Sequence, residues 1–189
     1  MNTLNGLPLH VLLVHAVVVL MPLSALLLLL TTFSASARRR FAGANVLLAL
    51  STVVLVPVTT SAGEWLEGHL ARTDLIRRHA DVGGTAIYLA IALAVLATIV
   101  WWRERETVAT SVPAAVRESR ETPVGTTLTK HAAVRRTWLA PASKAITRAI
   151  AVAAVLVAIA TLYDVYKIGD SGAKASWDGK VTSAPYIRG

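Results

Sequence analysis

The residues with the most chemistry to offer in this sequence are its five histidines, His10, His15, His69, His79 and His131. Cysteine is absent. That removes disulfides, thiolate nucleophiles, iron–sulfur clusters and cysteine-ligated zinc, and leaves imidazole, supported by carboxylates, for metal and proton chemistry. Two of the histidines belong to the run LHVLLVHAVVVLMPLSALLLLL, Leu9 to Leu30, where nearly every other residue is apolar. A run of about 20 apolar residues is long enough to cross a bilayer. An ionisable side chain inside such a run is costly and marks a functional position. His10 and His15 are five residues apart, about 140° of helical rotation, so only one of them joins any one site. His15, about 7.5 Å deeper at 1.5 Å per residue, is the one whose burial needs a reason; His10 reads as an interfacial residue.

The elements that must position these groups follow from the hydropathy. The chain is 54% hydrophobic and 16% charged, with mean hydropathy +0.57, which places it among membrane proteins. Four apolar segments, about 9–32, 42–62, 82–102 and 145–168, predict an all-α bundle of four transmembrane helices forming a single domain over residues 1–189. Arg38-Arg39-Arg40 separates the first two, and a long polar segment, 103–144, separates the last two. Twelve of the 19 Lys and Arg residues fall on the side shared by these two connections, with four of the 11 acids. The net charge of +8 is therefore all on one side, and positive-inside bias puts that side in the cytoplasm and both termini outside. Such a charge suits anionic lipid at the cytoplasmic face; with no aromatic-rich basic fold, nucleic-acid binding is not expected. Ala35-Ser36-Ala37 resembles a cleavage site, but no positive charge precedes the first run and three arginines follow it, so an uncleaved span is expected. The 103–144 segment reads as polar and mobile, with a short basic interfacial stretch at 131–139.

That orientation gathers His10, His15, His69 and His79 at the outer face and leaves His131 alone inside. The third span carries His79, Gly83, Ala86, Ala90 and Ala94 on one face, a small-residue seam that turns His79 toward the bundle. The leading functional reading is a b-type haem held by two axial imidazoles from facing helices. His15 with His79 is the preferred pair, Gly83 gives room beside the ring, and Arg72, Arg77 or Arg78 pairs with the propionates. An alternative is a divalent metal held by His15, His69 and His79 with Glu64 or Asp164, though no HxxxH, HxH or HExxH spacing is present. The third is a scaffold without a cofactor, in which the histidines bond Asp164, Tyr166 or backbone groups. Gly169-Asp170-Ser171-Gly172 matches the nucleophile sequence of trypsin-like proteases, but the β-barrels that motif needs are not predicted; a glycine turn ending the fourth helix is the reading.

Leu7-Pro8-Leu9-His10 through His15, the small-residue end of the second span, Gly68-His69, the His79 approach to the third span, and the stretch from Val165-Tyr166 to Gly172 together resemble a widespread bacterial four-helix membrane family catalogued as a domain of unknown function. That family's first helix starts with His-Pro, and its second histidine is followed closely by proline; here Val11 and Ala16-Val17 stand in those places. The resemblance implies a multi-pass protein of the bacterial inner membrane with no assigned activity. The expectation is a non-enzymatic membrane protein, acting as a redox accessory or scaffold and suited to a membrane-protein partner. A periplasm-active reporter fused at Gly189 should be active. An inactive fusion there would reverse the orientation.

Overall fold

The computed structural model describes residues 3–71, 73–118 and 143–179. Arg72, His131, most of the 103–144 segment with its expected 131–139 stretch, and the chain beyond Gly179 lie outside them. A two-residue hairpin comes first: β1 (Thr3–Leu4) pairs antiparallel with β2 (Leu7–Pro8). Its turn is Asn5-Gly6 with φ of 50° and 78°, the left-handed pair a tight hairpin requires. The five helices are α1 (Leu9–Phe33), α2 (Ala35–Glu67), α3 (Asp74–Gly83), α4 (Ala86–Glu118) and α5 (Lys144–Trp177). Four helical stretches are long and apolar enough to cross a membrane: α1, α2, α3 continuing into α4, and α5.

The helices outrun the apolar segments. α1 and α2 are separated by Ser34 alone, whose hydroxyl accepts from the Ala37 N–H. The Arg38–Arg40 run and the apparent cleavage site therefore lie within the first turns of α2. α4 continues past Trp102 to Glu118, through helix-favouring Arg and Glu residues, where the sequence suggested an immediate loop. α5 runs to Trp177, so residues 168–174 are helix and not a glycine turn.

α1 neighbours α2 and α5, α4 neighbours the same two, and α3 lies over α5 and α2 at the histidine end. Burial follows three- and four-residue spacing: Val17, Met21, Ser24, Ala25, Leu28 and Thr31 on α1, and Ala86, Ala90, Leu93, Ala94, Ala97 and Val100 on α4. The expected seam on the third span is thus a packed interface. Ala49, Ala90, Ala154 and Ala158 are completely or almost completely enclosed, so backbones approach closely, which is how helices associate in lipid. Large apolar side chains such as Leu47, Val54, Leu156 and Ile159 point outward. Most buried hydroxyls, including Thr31, Thr52 and Thr161, bond carbonyls of their own helix. Ser24 and Asn45 instead meet across α1 and α2 at 3.2 Å.

At the opposite end Arg38 serves three helices. Its Nη1 donates to the Thr31 and Thr32 carbonyls, both at 3.1 Å, which closes the C-terminus of α1. Its Nε pairs with Glu104 of α4 at 3.0 Å. Trp101 and Trp102 sit at this level, with the Arg105 guanidinium 4.7 Å from the centre of the Trp101 ring. In detergent, Ala90→Leu should lower stability by about 1–3 kcal/mol through overpacking of the α4 seam, read as a depressed thermal transition. Ile91→Leu, on the exposed side, should be near neutral. Equal effects from the two would refute the packing scheme.

Candidate functional site

The first turn of α1 and the middle of α3 bring His10 and His79 face to edge, with ring centroids 6.1 Å apart and planes at 75°. Both are half-buried. His10 reaches across to α2, where its Nδ1 lies 2.9 Å from the Thr59 carbonyl oxygen. A carbonyl only accepts, so Nδ1 carries a proton, and in the neutral ring Nε2 keeps the lone pair. His79 reaches across to α5, where its Nδ1 lies 3.0 Å from Ser171 Oγ. Ser171 spends its own proton on the Ile168 carbonyl at 3.0 Å. Its oxygen therefore accepts from His79 Nδ1–H, and in the neutral His79 ring the lone pair is likewise on Nε2.

Both imidazoles rest on glycine. A Cβ built on Gly63 would lie 2.9 Å from His10 Nδ1, and one on Gly172 would lie 3.1 Å from His79 Cε1. His10 thus bridges α1 to α2, His79 bridges α3 to α5, and the two rings tie these bridges together.

The preference between the first-span histidines is reversed. His15 is exposed on the outside of α1 and turns its Nδ1 back to the Val11 carbonyl of its own helix. The buried stripe of α1 explains this: Val17, Ser24 and Thr31 are seven apart, and one step back along that series is His10. His69 is exposed too, its Nδ1 2.7 Å from the Trp65 carbonyl and its ring stacked on the Trp65 indole at 4.1 Å. Glu64 is exposed. Asp164 Oδ1 accepts from Thr85 at 2.8 Å, tying α5 to the start of α4, while Oδ2 is enclosed without a hydrogen-bond partner among the described residues. His15, His69, His79, Glu64 and Asp164 therefore form no common ligand set: among the described residues no group of three or more such side chains could hold a metal ion. Helix rotation separates the first of them and loop geometry the second.

Gly83, expected to give the ring room, has nothing within 4 Å of a built Cβ; the close contacts are at Gly63 and Gly172. The four-residue spacings Asp74/Arg78 and Arg77/Asp81 suit helical ion pairs, but neither pair forms. Arg77 pairs with Asp74, three residues away, at 3.5 Å, and Arg78 turns to a groove beside α5. Thr59, Gly63, Ser171 and Gly172 are the site residues that sequence reading did not assign. Comparison with protein-family models, with curated proteins and with solved structures finds no match for this chain.

Gly63→Ala forces the His10 ring off the Thr59 carbonyl, and Gly172→Ala crowds His79. Both should change the imidazole NMR resonances and lower thermal stability. Gly83→Ala should leave the resonances in place and stabilise α3 by about 0.5–1 kcal/mol through helix propensity. Identical behaviour of all three variants would show that the imidazoles are not seated on the two glycines.

Proposed function

We propose that this chain is a non-enzymatic accessory protein of a bacterial inner membrane that binds b-type haem between His10 and His79. Both termini and the histidine pair lie at the outer face, and the Arg38–Arg40 end meets anionic lipid in the cytoplasmic leaflet. The four membrane-length helices support the location, and the charge asymmetry supports the orientation. The resemblance to the uncharacterised four-helix membrane family belongs to this proposal.

The observation that carries the haem reading is the donor set. Porphyrin supplies four nitrogens to iron and leaves at most two axial positions for protein, whereas structural zinc needs four protein ligands and catalytic zinc three. Two imidazoles are what this end of the bundle brings together. Each donates Nδ1–H to an oxygen and keeps Nε2 for a metal, the outer-shell arrangement of ligating histidines. Haem would supply one-electron chemistry. The chain's own part is to fix the tautomer of both rings, to hold them on glycine backbones and to link four helices through them. There is no second histidine pair at the arginine end among the described residues, so the reading is of an electron-exchanging accessory and not of a haem stack across the membrane.

The scaffold reading has its own support: the same hydrogen bonds and edge-to-face contact join helices without any cofactor, at roughly 0.6–2 kcal/mol per interhelical bond. An optical spectrum separates the two. Protein expressed with haem available should show a Soret band and a reduced α-band; His10→Ala and His79→Ala should lose both, and His15→Ala should keep them. A colourless protein under these conditions leaves the scaffold reading. Retention of the bands in His10→Ala would move the ligand elsewhere.

A further inference from the structure

A groove of about 380 Å³ opens between α3 and α5 next to the histidine pair. Leu75 and Val82 supply its apolar surface, while Arg78 of α3 and Lys167 of α5 both line it. Ser171, the residue that holds His79, lines it as well. We propose that this groove binds the phosphate-bearing headgroup of an anionic phospholipid in the leaflet at the histidine end.

The charges favour an anion. Arg78 has no ion-pair partner among the described residues, and Lys167 lies 5.8 Å from the centre of the Tyr163 ring, with no carboxylate within salt-bridge distance among them. Lys174, at the rim, is neutralised by Asp170 at 2.7 Å. Asp81 is the remaining acid of the lining, so the groove carries a net charge of one positive unit. The two non-bridging oxygens of a phosphodiester accept a paired set of bonds from a planar guanidinium, and either can also accept from an ammonium.

The depth favours a lipid over a free anion. The chain becomes predominantly apolar from Ala86, where α4 begins, one turn past Val82. Tyr163 and Tyr166, both exposed, flank the same level of α5, where aromatic residues mark the headgroup region. A headgroup between Arg78 and Lys167 would leave its glycerol against Leu75 and Val82 and its chains along the exposed flank of Tyr88 and Tyr163.

The absence of native cysteine allows a single reporter. The L75C protein, labelled with a fluorophore, is placed in nanodiscs of phosphatidylcholine containing a minor fraction of headgroup-quencher phosphatidylglycerol or headgroup-quencher phosphatidylcholine. Quenching by the phosphatidylglycerol form should exceed that by the phosphatidylcholine form. Near a membrane surface each cation contributes about fivefold in affinity, so R78Q/K167Q should weaken the phosphatidylglycerol response roughly 25-fold. The charge-keeping pair R78K/K167R should retain most of it, and D81N should strengthen it. Circular dichroism checks that every variant keeps its helices. Equal quenching by the two lipids, or an unchanged response in R78Q/K167Q, overturns the proposal. Displacement by millimolar inorganic phosphate overturns the lipid assignment in favour of a free-anion site.

Discussion

Close approach of helix backbones is the constraint on which this structure depends. Lipid gives apolar side chains no reason to leave it, so the helices are held by dispersion contacts and by the polar groups they share. Both need short distances. Ala49, Ala90, Ala154 and Ala158 provide them through the middle of the bundle, where no side chain larger than a methyl separates the axes at these positions. Many large aliphatic residues, such as Leu47, Val54, Leu156 and Ile159, face outward, where lipid receives them at no cost, while Met21, Leu28 and Leu93 fill the interior.

The same constraint shapes the two ends differently. At one end Arg38 holds α1 and α4 to α2 with bonds to two carbonyls and a carboxylate. At the other, Gly63 and Gly172 let an imidazole lie directly on a helix backbone. A ring held in that way has its rotation fixed by packing and its tautomer fixed by the oxygen at Nδ1. The site is therefore a product of helix spacing: His10 finds Thr59 because α1 and α2 are close, and His79 finds Ser171 because α3 folds back over α5.

Much of this was legible in the sequence, and the failures have definite causes. The spans were readable because membrane length is an additive property of neighbouring residues, and the seam on α4 because small residues repeat at helical spacing. His79 meets Ser171 of α5, while Gly83 of the same expected seam has nothing within 4 Å of a built Cβ. His15 was preferred over His10 on depth alone, whereas the seven-residue series Val17, Ser24 and Thr31 sets the inward face and leads back to His10. The 168–174 stretch was read as a turn because two glycines and polar residues lower helix propensity; packing of α3 against α5 overrides that preference. Ser171 was singled out for a serine-protease likeness that the fold does not sustain, and its hydroxyl instead sets the proton on His79.

The sequence by itself determined that four helices are long and apolar enough to cross a membrane, that charge is concentrated at one end of them, and that imidazole is the available ligand chemistry. These follow from composition and from one-dimensional spacing, which do not depend on how the helices meet. Which histidine joins His79, which glycines seat the rings, which oxygens fix their protons, and which arginine lines the open groove were decided only by the tertiary structure. Each of those depends on the rotation of one helix against another, a quantity set by the summed packing of side chains on several segments and contained in no single stretch of the chain.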